Sequence, residues 1–205
     1  MFYKNYKTLV LFFYFILFCI VFFLFSNLTD FDFSRSFDTD YLKIKGIELK
    51  SLLDSNYILF FVIYIIFYII YISLLPIPSP VVIISSVIFN PLVATLISTI
   101  CISIGSLIFF SLLNLGIMPK FESIKLKNNK IIKKLKKKEF LSILIFRLTG
   151  GGGLPFLLQN LVLYYSGVKS KNYFFGTIMG IIPGTFLLSV LGISIFTGIK
   201  MILFN

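Results

Sequence analysis

Long apolar runs alternate with short polar segments along the whole chain. The first run spans residues 8–28, close to the roughly 20 residues that a helix needs to cross the hydrocarbon core of a bilayer. Its length and bulk favour a retained transmembrane helix over a cleaved signal peptide, which has a shorter apolar region and a small-residue cleavage site. A polar, mostly acidic segment follows over residues 29–56.

The next apolar region, residues 57–119, carries no charged residue but contains several helix breakers. Pro76 and Pro78 lie near its middle, and the pair Asn90-Pro91 follows about one short helix later. Proline removes a backbone donor and clashes with the preceding turn, so we expect helices to end at both places. Broken backbone at membrane depth is tolerated only where it is buried in protein or lines a wet cavity.

A second interrupted region begins at residue 140. Four consecutive glycines, Gly150–Gly153, and then Pro155 break it, and Pro155 suits the first turn of the helix that follows. The last apolar stretch, residues 173–193, contains Pro183 and Gly184, which predict a kink in a spanning helix.

The positions of the lysines orient these segments. Lysines at residues 4–7, 120–138 and 169–171 are expected on the cytoplasmic side by the positive-inside rule. The 57–119 region must then cross an odd number of times, and at 1.5 Å per residue it is far too long for one crossing. We predict a re-entrant hairpin over residues 57–90, entered from outside, and a span over residues 92–113.

The second half of the chain has the same arrangement with the opposite orientation: a hairpin over residues 140–166 that is entered from the cytoplasm and a span over residues 173–193. The sequence thus predicts an all-α integral membrane protein with transmembrane helices plus two opposed re-entrant helical hairpins in an inverted repeat. The membrane domain covers residues 55–195, and residues 196–205 form a short tail. Inverted repeats with broken helices are common in secondary transporters. Plain kinked spanning helices are the alternative.

Composition narrows the function further. Mean hydropathy is +1.00 and only 13% of residues are charged, against about a quarter in soluble domains. The chain has no His and only two Cys, which predicts no metal site, disulfide framework or cofactor. Without a nucleophile–base motif or paired carboxylates we expect no enzymatic activity.

Nine of the 19 Lys and Arg residues lie between Lys120 and Lys138. Apolar residues recur among them at roughly helical spacing, so residues 120–140 predict an amphipathic cytoplasmic helix on an anionic membrane leaflet. A nucleic acid is the other partner for such a run, but basic loops between spans are ordinary topology. We therefore expect membrane lipids as partners and no nucleic acid; a homo-oligomer stays open.

One fixed charge lies inside the second interrupted region. Arg147 is seven residues past Phe140, roughly 10 Å into the membrane at helical rise. A guanidinium stays charged and offers a bidentate fork for phosphate, and the glycines Gly151, Gly152 and Gly153 could expose backbone N–H groups to the same anion. Asn160 could bind the ligand or bridge helices. The alternatives are an arginine that snorkels to the interface and glycines that only permit a tight turn.

The residues of 146–192 resemble the VTT-domain family, also called SNARE-associated Golgi proteins, which includes the DedA-like proteins. The resemblance is carried by an ordered set of positions: Arg147, Pro155, Asn160, Ser166-Gly167-Val168, Tyr173, Gly176-Thr177, Gly180 and Pro183-Gly184-Thr185. The turn at residues 76–78 also fits. The first proline of the family's Pro-x-x-Pro turn is missing, Tyr164 replaces a usual glycine, and residues 55–119 lack the acidic residues of DedA-like members, which weakens proton coupling.

This resemblance implies a lipid transporter or scramblase-like protein involved in membrane lipid homeostasis, with Arg147 at the lipid phosphate. A secondary transporter of a small ion or solute and a non-transporting assembly or trafficking factor are the alternatives. We expect the protein in the plasma (inner) membrane of a bacterium.

Overall fold

The computed structural model describes residues 57–115 and 138–204, together with Phe12, Ile16, Cys19, Ile20 and Phe23. Every element defined in these residues is helical. The helices are α1 (Tyr57–Leu74), α2 (Ser79–Ile88), α3 (Pro91–Asn114), α4 (Glu139–Leu148), α5 (Phe156–Tyr165) and α6 (Ser170–Phe204), with a 3₁₀ turn at Gly150–Gly152. Apart from those five positions and residues 138–140, the predicted N-terminal helix, the acidic segment and the basic segment lie outside the described residues.

Within the described residues, three helices are long and apolar enough to cross a membrane: Tyr57–Leu74, Pro91–Asn114 and Ser170–Ile195. Their 18, 24 and 26 residues extend about 27, 36 and 39 Å at helical rise, which matches a hydrocarbon core of about 30 Å. The prediction of an all-helical membrane protein is therefore confirmed.

Three other helices are too short to cross. Helices α2, α4 and α5 have ten residues each, about 15 Å, or half the thickness of the core. That length suits re-entrant segments, although the two hairpins and their inverted repeat stay a prediction.

Local sequence explains where the helices begin. Pro91 is the first residue of α3, where its missing N–H is no loss, and the Asn90 side chain accepts a hydrogen bond from the N–H of Val93 at 2.9 Å. Helix α5 begins at Phe156, so Pro155 is its N-cap residue in an extended conformation (ψ 145°). The expectation that Pro155 lies in the first turn is off by one residue.

The described chain divides into two compact units, residues 1–70 and 71–205. In the first, aromatic rings of α1 stack along the helix, with the ring centres of Tyr57 and Phe61 6.0 Å apart. The second unit holds α2 to α6 and every residue discussed below.

Helix α6 is the element on which the second unit is built, because α2, α3 and α4 all pack against it. Glycines make these approaches close. A Cβ atom at Gly176 would lie 2.8 Å from Cγ2 of Ile143 in α4, and one at Gly192 would lie 3.1 Å from Cα of Ile83 in α2. Small residues at such contacts let backbones approach where lipid supplies no hydrophobic drive for association.

The helix α6 also extends beyond the predicted span of 173–193. It continues through Phe204, into the segment that the sequence analysis set apart as a tail. Pro183 lies inside this helix, and the kink expected there stays a prediction.

Buried apolar side chains join α3, α4, α5 and α6. One cluster contains Phe110, Ile143, Leu163, Val168 and Tyr173. The rings of Phe110 and Tyr173 have their centres 4.8 Å apart. This cluster fixes the start of α6 against α3 and so fixes the position of the Tyr173 hydroxyl.

Candidate functional site

Arg147 lies in the last turn of α4 and is only 4% exposed. Its Nη1 donates to Oε1 of Gln159 at 3.0 Å, and its Nη2 donates to Oδ1 of Asn160 and, at 3.4 Å, to the hydroxyl of Tyr173. The ring of Phe156 covers the guanidinium, with its centre 4.3 Å from Cζ, a cation–π geometry. The predicted charge is thus enclosed by protein rather than exposed at the surface.

Glycines of α6 allow Arg147 to reach this position. Arg147 and Ile143 lie one turn apart on the buried face of α4, and Gly180 and Gly176 lie one turn apart on α6. A Cβ atom at Gly180 would overlap Cβ of Arg147 and lie 3.0 Å from the carbonyl oxygen of Leu144. The absence of side chains at Gly176 and Gly180 therefore determines how closely α4, with Arg147, approaches α6.

The glycine turn orients Gln159. Gly150, Gly151, Gly152 and Gly153 all have positive φ, between 63° and 84°, a conformation that costs any other residue about 1–2 kcal/mol. The turn presents the carbonyl groups of Gly150 and Leu154 to Nε2 of Gln159, at 3.0 and 2.8 Å. Since both amide donors are used there, the Oε1 atom of Gln159 faces Arg147.

Asn160 and Tyr173 complete the environment of the guanidinium. The Tyr173 hydroxyl lies 2.9 Å from Oδ1 of Asn160 and 3.3 Å from the carbonyl oxygen of Ser106. Nδ2 of Asn160 and Nε of Arg147 are buried with no hydrogen-bond partner among the described residues. Buried polar atoms without a partner are rare in native proteins, and each needs an explanation.

Among the described residues every hydrogen-bond partner of Arg147 is neutral, so none of them compensates its charge. Glu139 is the only carboxylic side chain in residues 57–115 and 138–204. It lies eight positions earlier on α4, about 12 Å along the helix. Its Oε2 accepts hydrogen bonds from the backbone N–H of Lys169 and from Nδ2 of Asn172, at 3.2 and 2.7 Å. An uncompensated buried charge is costly, and an anion beside Arg147 would offset that cost.

A cavity of about 200 Å³ adjoins the guanidinium. Arg147, Gln159 and Thr185 give its polar wall, and the remaining wall is apolar apart from the backbone of Gly184. The lining residues are Pro78, Val82, Ile102, Arg147, Phe156, Gln159, Ile181, Gly184, Thr185 and Leu188. They come from both interrupted regions and from both long helices of the second unit.

The predicted site residues fall into two groups. Arg147, Gly151 and Asn160 are buried together, and a Cβ atom at Gly151 would lie 2.6 Å from Cγ of Gln159. Gly152 and Gly153 are exposed, and their N–H groups donate to the carbonyls of Thr149 and Gly150, at 3.4 and 3.2 Å. That these residues bind an anion stays a prediction.

The predicted turn and kink residues also differ in position. Pro78 and Gly184 line the cavity. Pro76 is buried in the turn before α2, and Pro155 and Pro183 are exposed.

Sequence reasoning missed Gln159 and Phe156 and gave Tyr173 no part in the site. A signal existed for Gln159, because two adjacent amides inside an apolar helix are unusual. The signal for Phe156 was absent, since one phenylalanine among 26 looks like any other.

No metal site is evident here. In the ranges that the structure describes, no three His, Cys, Asp or Glu side chains come together as metal ligands.

Comparison with known proteins identifies the family. Neither the curated proteins nor the solved structures gave a significant match. The model of the VTT domain matches residues 75–194, which is more than half of the chain and includes the glycine turn, Arg147 and the whole cavity wall. The chain therefore belongs to the VTT-domain family of membrane proteins.

Proposed function

We propose that this protein moves lipids with anionic headgroups across the membrane, as a transporter of the scramblase type that maintains membrane lipid composition. One observation carries the proposal: the guanidinium of Arg147 is buried, has only neutral hydrogen-bond partners and forms a wall of a 200 Å³ cavity. Such a group attracts an anion, and the phosphate of a lipid is the anion that membranes supply in abundance.

The hydrogen bonds of Arg147 support a binding role. A guanidinium has five N–H donors, and the three bonds to Gln159, Asn160 and Tyr173 leave two donors, of which the Nε–H is one. Phosphate accepts hydrogen bonds from guanidinium strongly. Because Arg147 lines the cavity, an anion held there would be the natural acceptor for these donors.

The apolar part of the cavity supports a lipid over a free anion. Val82, Ile102 and Ile181 lie on the wall with Arg147, so an occupant would meet a charge at one end and hydrocarbon at the other. A phosphate ester with its first carbons has that character. The rest of such a lipid exceeds the volume of the cavity and would stay in the bilayer.

The predicted topology belongs to this proposal. Helices α2, α4 and α5 are half as long as a spanning helix. The turn before α2 supplies Pro78 to the cavity, and the last residues of α4 supply Arg147. Two re-entrant hairpins in an inverted repeat would place that cavity near the membrane midplane. The basic segment 120–138 would rest on the anionic cytoplasmic leaflet of a bacterial plasma membrane, with lipids rather than nucleic acid as partners; self-association is left open.

Coupling to protons is the less favoured mechanism. Among the described residues the one carboxylic side chain is Glu139. It accepts hydrogen bonds from the backbone N–H of Lys169 and the side chain of Asn172, and it does not line the cavity. The same wall offers no nucleophile paired with a base, so we propose transport and no enzymatic reaction.

Reconstitution tests the proposal. Liposomes containing the protein and a fluorescent phosphatidylglycerol are treated with a membrane-impermeant quencher, and the rate at which inner-leaflet lipid becomes quenched is measured. We expect exchange with the wild type, a loss of about a hundredfold with Arg147→Gln, and an intermediate rate with Arg147→Lys. Removing one partner of a buried hydrogen-bonded charge typically costs that much.

Lys171→Gln is the matched control, because Lys171 is an exposed cation on α6. Monodispersity in detergent and the unfolding midpoint show whether each variant is folded. Absence of exchange in the wild type, or equal exchange in folded Arg147→Gln, would refute the proposal.

A further inference from the structure

One glycine is the exposed residue on the wall of the Arg147 cavity. Of its ten lining residues, six are buried and three half-buried, and only Gly184 is exposed. The half-buried residues are Pro78, Phe156 and Leu188. Buried or half-buried side chains therefore form the wall everywhere except at position 184, where a side chain is missing.

Helix geometry directs position 184 toward the cavity. Ile181, Gly184, Thr185 and Leu188 all line it, and these positions follow the i, i+3, i+4, i+7 spacing of one helix face. A Cβ atom built at Gly184 meets no atom within 4 Å. This contrasts with Gly180 one turn earlier, where a Cβ would collide with Arg147.

The surface around the opening is apolar. Leu187, one turn after Gly184 on α6, is 62% exposed, and Pro183 next to Gly184 is also exposed. In a spanning helix such a surface contacts lipid chains. A hydrophilic solute would gain nothing there, whereas a lipid could leave its chains outside while its headgroup enters.

We propose that Gly184 controls access to the cavity, because its missing side chain leaves a lateral opening through which a lipid phosphate reaches Arg147. The proposal rests on the proposed function for its ligand. The sequence pattern of Pro183-Gly184 predicts a helix kink. A kink does not explain the open space beside Gly184, because it requires the proline and not the absence of a side chain at position 184.

A substitution series at position 184 tests this without disturbing the fold. Gly184→Ala replaces glycine by a better helix former in open space, so it should fold at least as well as the wild type. Gly184→Phe should obstruct the opening and lower the exchange rate by about tenfold or more, with Gly184→Ala lying between. Leu187→Phe, which adds bulk to an exposed neighbour outside the cavity wall, is the matched control and should exchange like the wild type.

Photolabelling supplies a readout that does not depend on transport. The probe is a phosphatidylglycerol with a diazirine at the start of one acyl chain, and labelled residues are mapped by mass spectrometry. Val82 and Ile102 are 0% and 1% exposed, so lipid can label them only from within the cavity. We expect labelling of these two residues in the wild type and in Leu187→Phe, and at least a tenfold reduction in Gly184→Phe.

The outcomes separate this inference from the proposed function. Unchanged labelling of Val82 and Ile102 in Gly184→Phe, or none in the wild type, would overturn the role of Gly184 even if Arg147-dependent exchange occurred. Gly184-dependent labelling without any lipid exchange would uphold the opening and refute transport.

Discussion

The two turns that contribute to the cavity differ in almost every chemical respect. The first, Leu75–Pro78, is shaped by proline, carries no charge and supplies Pro78 and the following Val82 to the wall. The second, Thr149–Leu154, is shaped by four left-handed glycines and orients Gln159, one partner of a buried arginine. A ten-residue helix follows each turn. Two segments of similar structure, each a turn followed by a ten-residue helix, therefore lie at the cavity. The first contributes apolar wall, and the second holds the partners of a positive charge.

The same difference between an uncharged and a charged contact is found along α6. Gly176 and Gly180 admit α4 with its arginine, and Gly192 admits α2, where a Cβ would collide with the hydroxyl of Ser86. Both approaches need glycine for close packing, but only one of them positions a charge. Helix packing and the position of the Arg147 charge can therefore be varied separately in this molecule.

The largest effect on lipid exchange is expected when the charge of Arg147 is compensated within the protein. Asn160→Asp preserves the shape of the side chain that accepts from Arg147 but adds a carboxylate, so the guanidinium no longer attracts an anion. We expect lipid exchange to fall about a hundredfold, while the unfolding midpoint stays equal or rises. Exchange at the wild-type rate would mean that the charge of Arg147 is not what binds lipid.

A pair of glycine variants separates packing from chemistry. Gly180→Ala and Gly192→Ala should each lower the free energy of unfolding by about 1–3 kcal/mol, because both overpack a helix contact. Only Gly180→Ala should also reduce exchange, by about tenfold or more, since it displaces Arg147 by a fraction of an ångström or more. Unfolding in detergent and exchange in liposomes measure the two effects. Equal losses of exchange in both variants would contradict the division.

The glycine turn offers a finer comparison. Gly151→Ala and Gly152→Ala both force a positive φ on alanine, at 64° and 68°, and each should cost about 1–2 kcal/mol of stability. Gly151→Ala should cost more and should slow exchange, because its Cβ would press on Gln159. Gly152 has open space there, so exchange by folded Gly152→Ala should be unchanged. The reverse order would show that the turn does not act through Gln159.

The smallest effect on stability is expected from the hydroxyl groups that join α3 and α6. Thr99 and Thr185 share a hydrogen bond of 3.1 Å between α3 and α6. A double-mutant cycle with Thr99→Val and Thr185→Val should give a coupling energy of about 0.6 kcal/mol, the average for such bonds in membranes. A coupling several times larger would show that this hydroxyl pair, too, supports the site.

Much of the frame could be predicted from local sequence. The length of the apolar runs and the breaks at Pro76–Pro78, Asn90-Pro91 and Gly150–Gly153 predicted where helices lie, because span length and helix termination depend on nearby residues. The exact ends were less certain, as Pro155 shows. The family resemblance read from residues 146–192 is confirmed by the match over residues 75–194.

The site was predictable only in part. Arg147 drew attention because a charge is rare in an apolar region, and that signal is local. Its partners Gln159 and Tyr173 lie 12 and 26 positions away, and nothing in the sequence pattern relates such distances. The place of Gly184 on the cavity wall was equally hidden, because a glycine beside a proline looks like a kink until its neighbours in space are known.

The sequence alone determined that this chain is a helical membrane protein of the VTT family with one charged residue inside a broken apolar region. Composition and run length suffice for that, since the cost of placing polar groups in hydrocarbon depends on residue type. The tertiary structure decided that the described partners of the guanidinium are neutral, that the guanidinium adjoins a cavity, and that Gly184 is the exposed residue on the cavity wall. Those properties depend on which distant side chains are brought within a few ångströms, and packing of whole helices against α6 settles that.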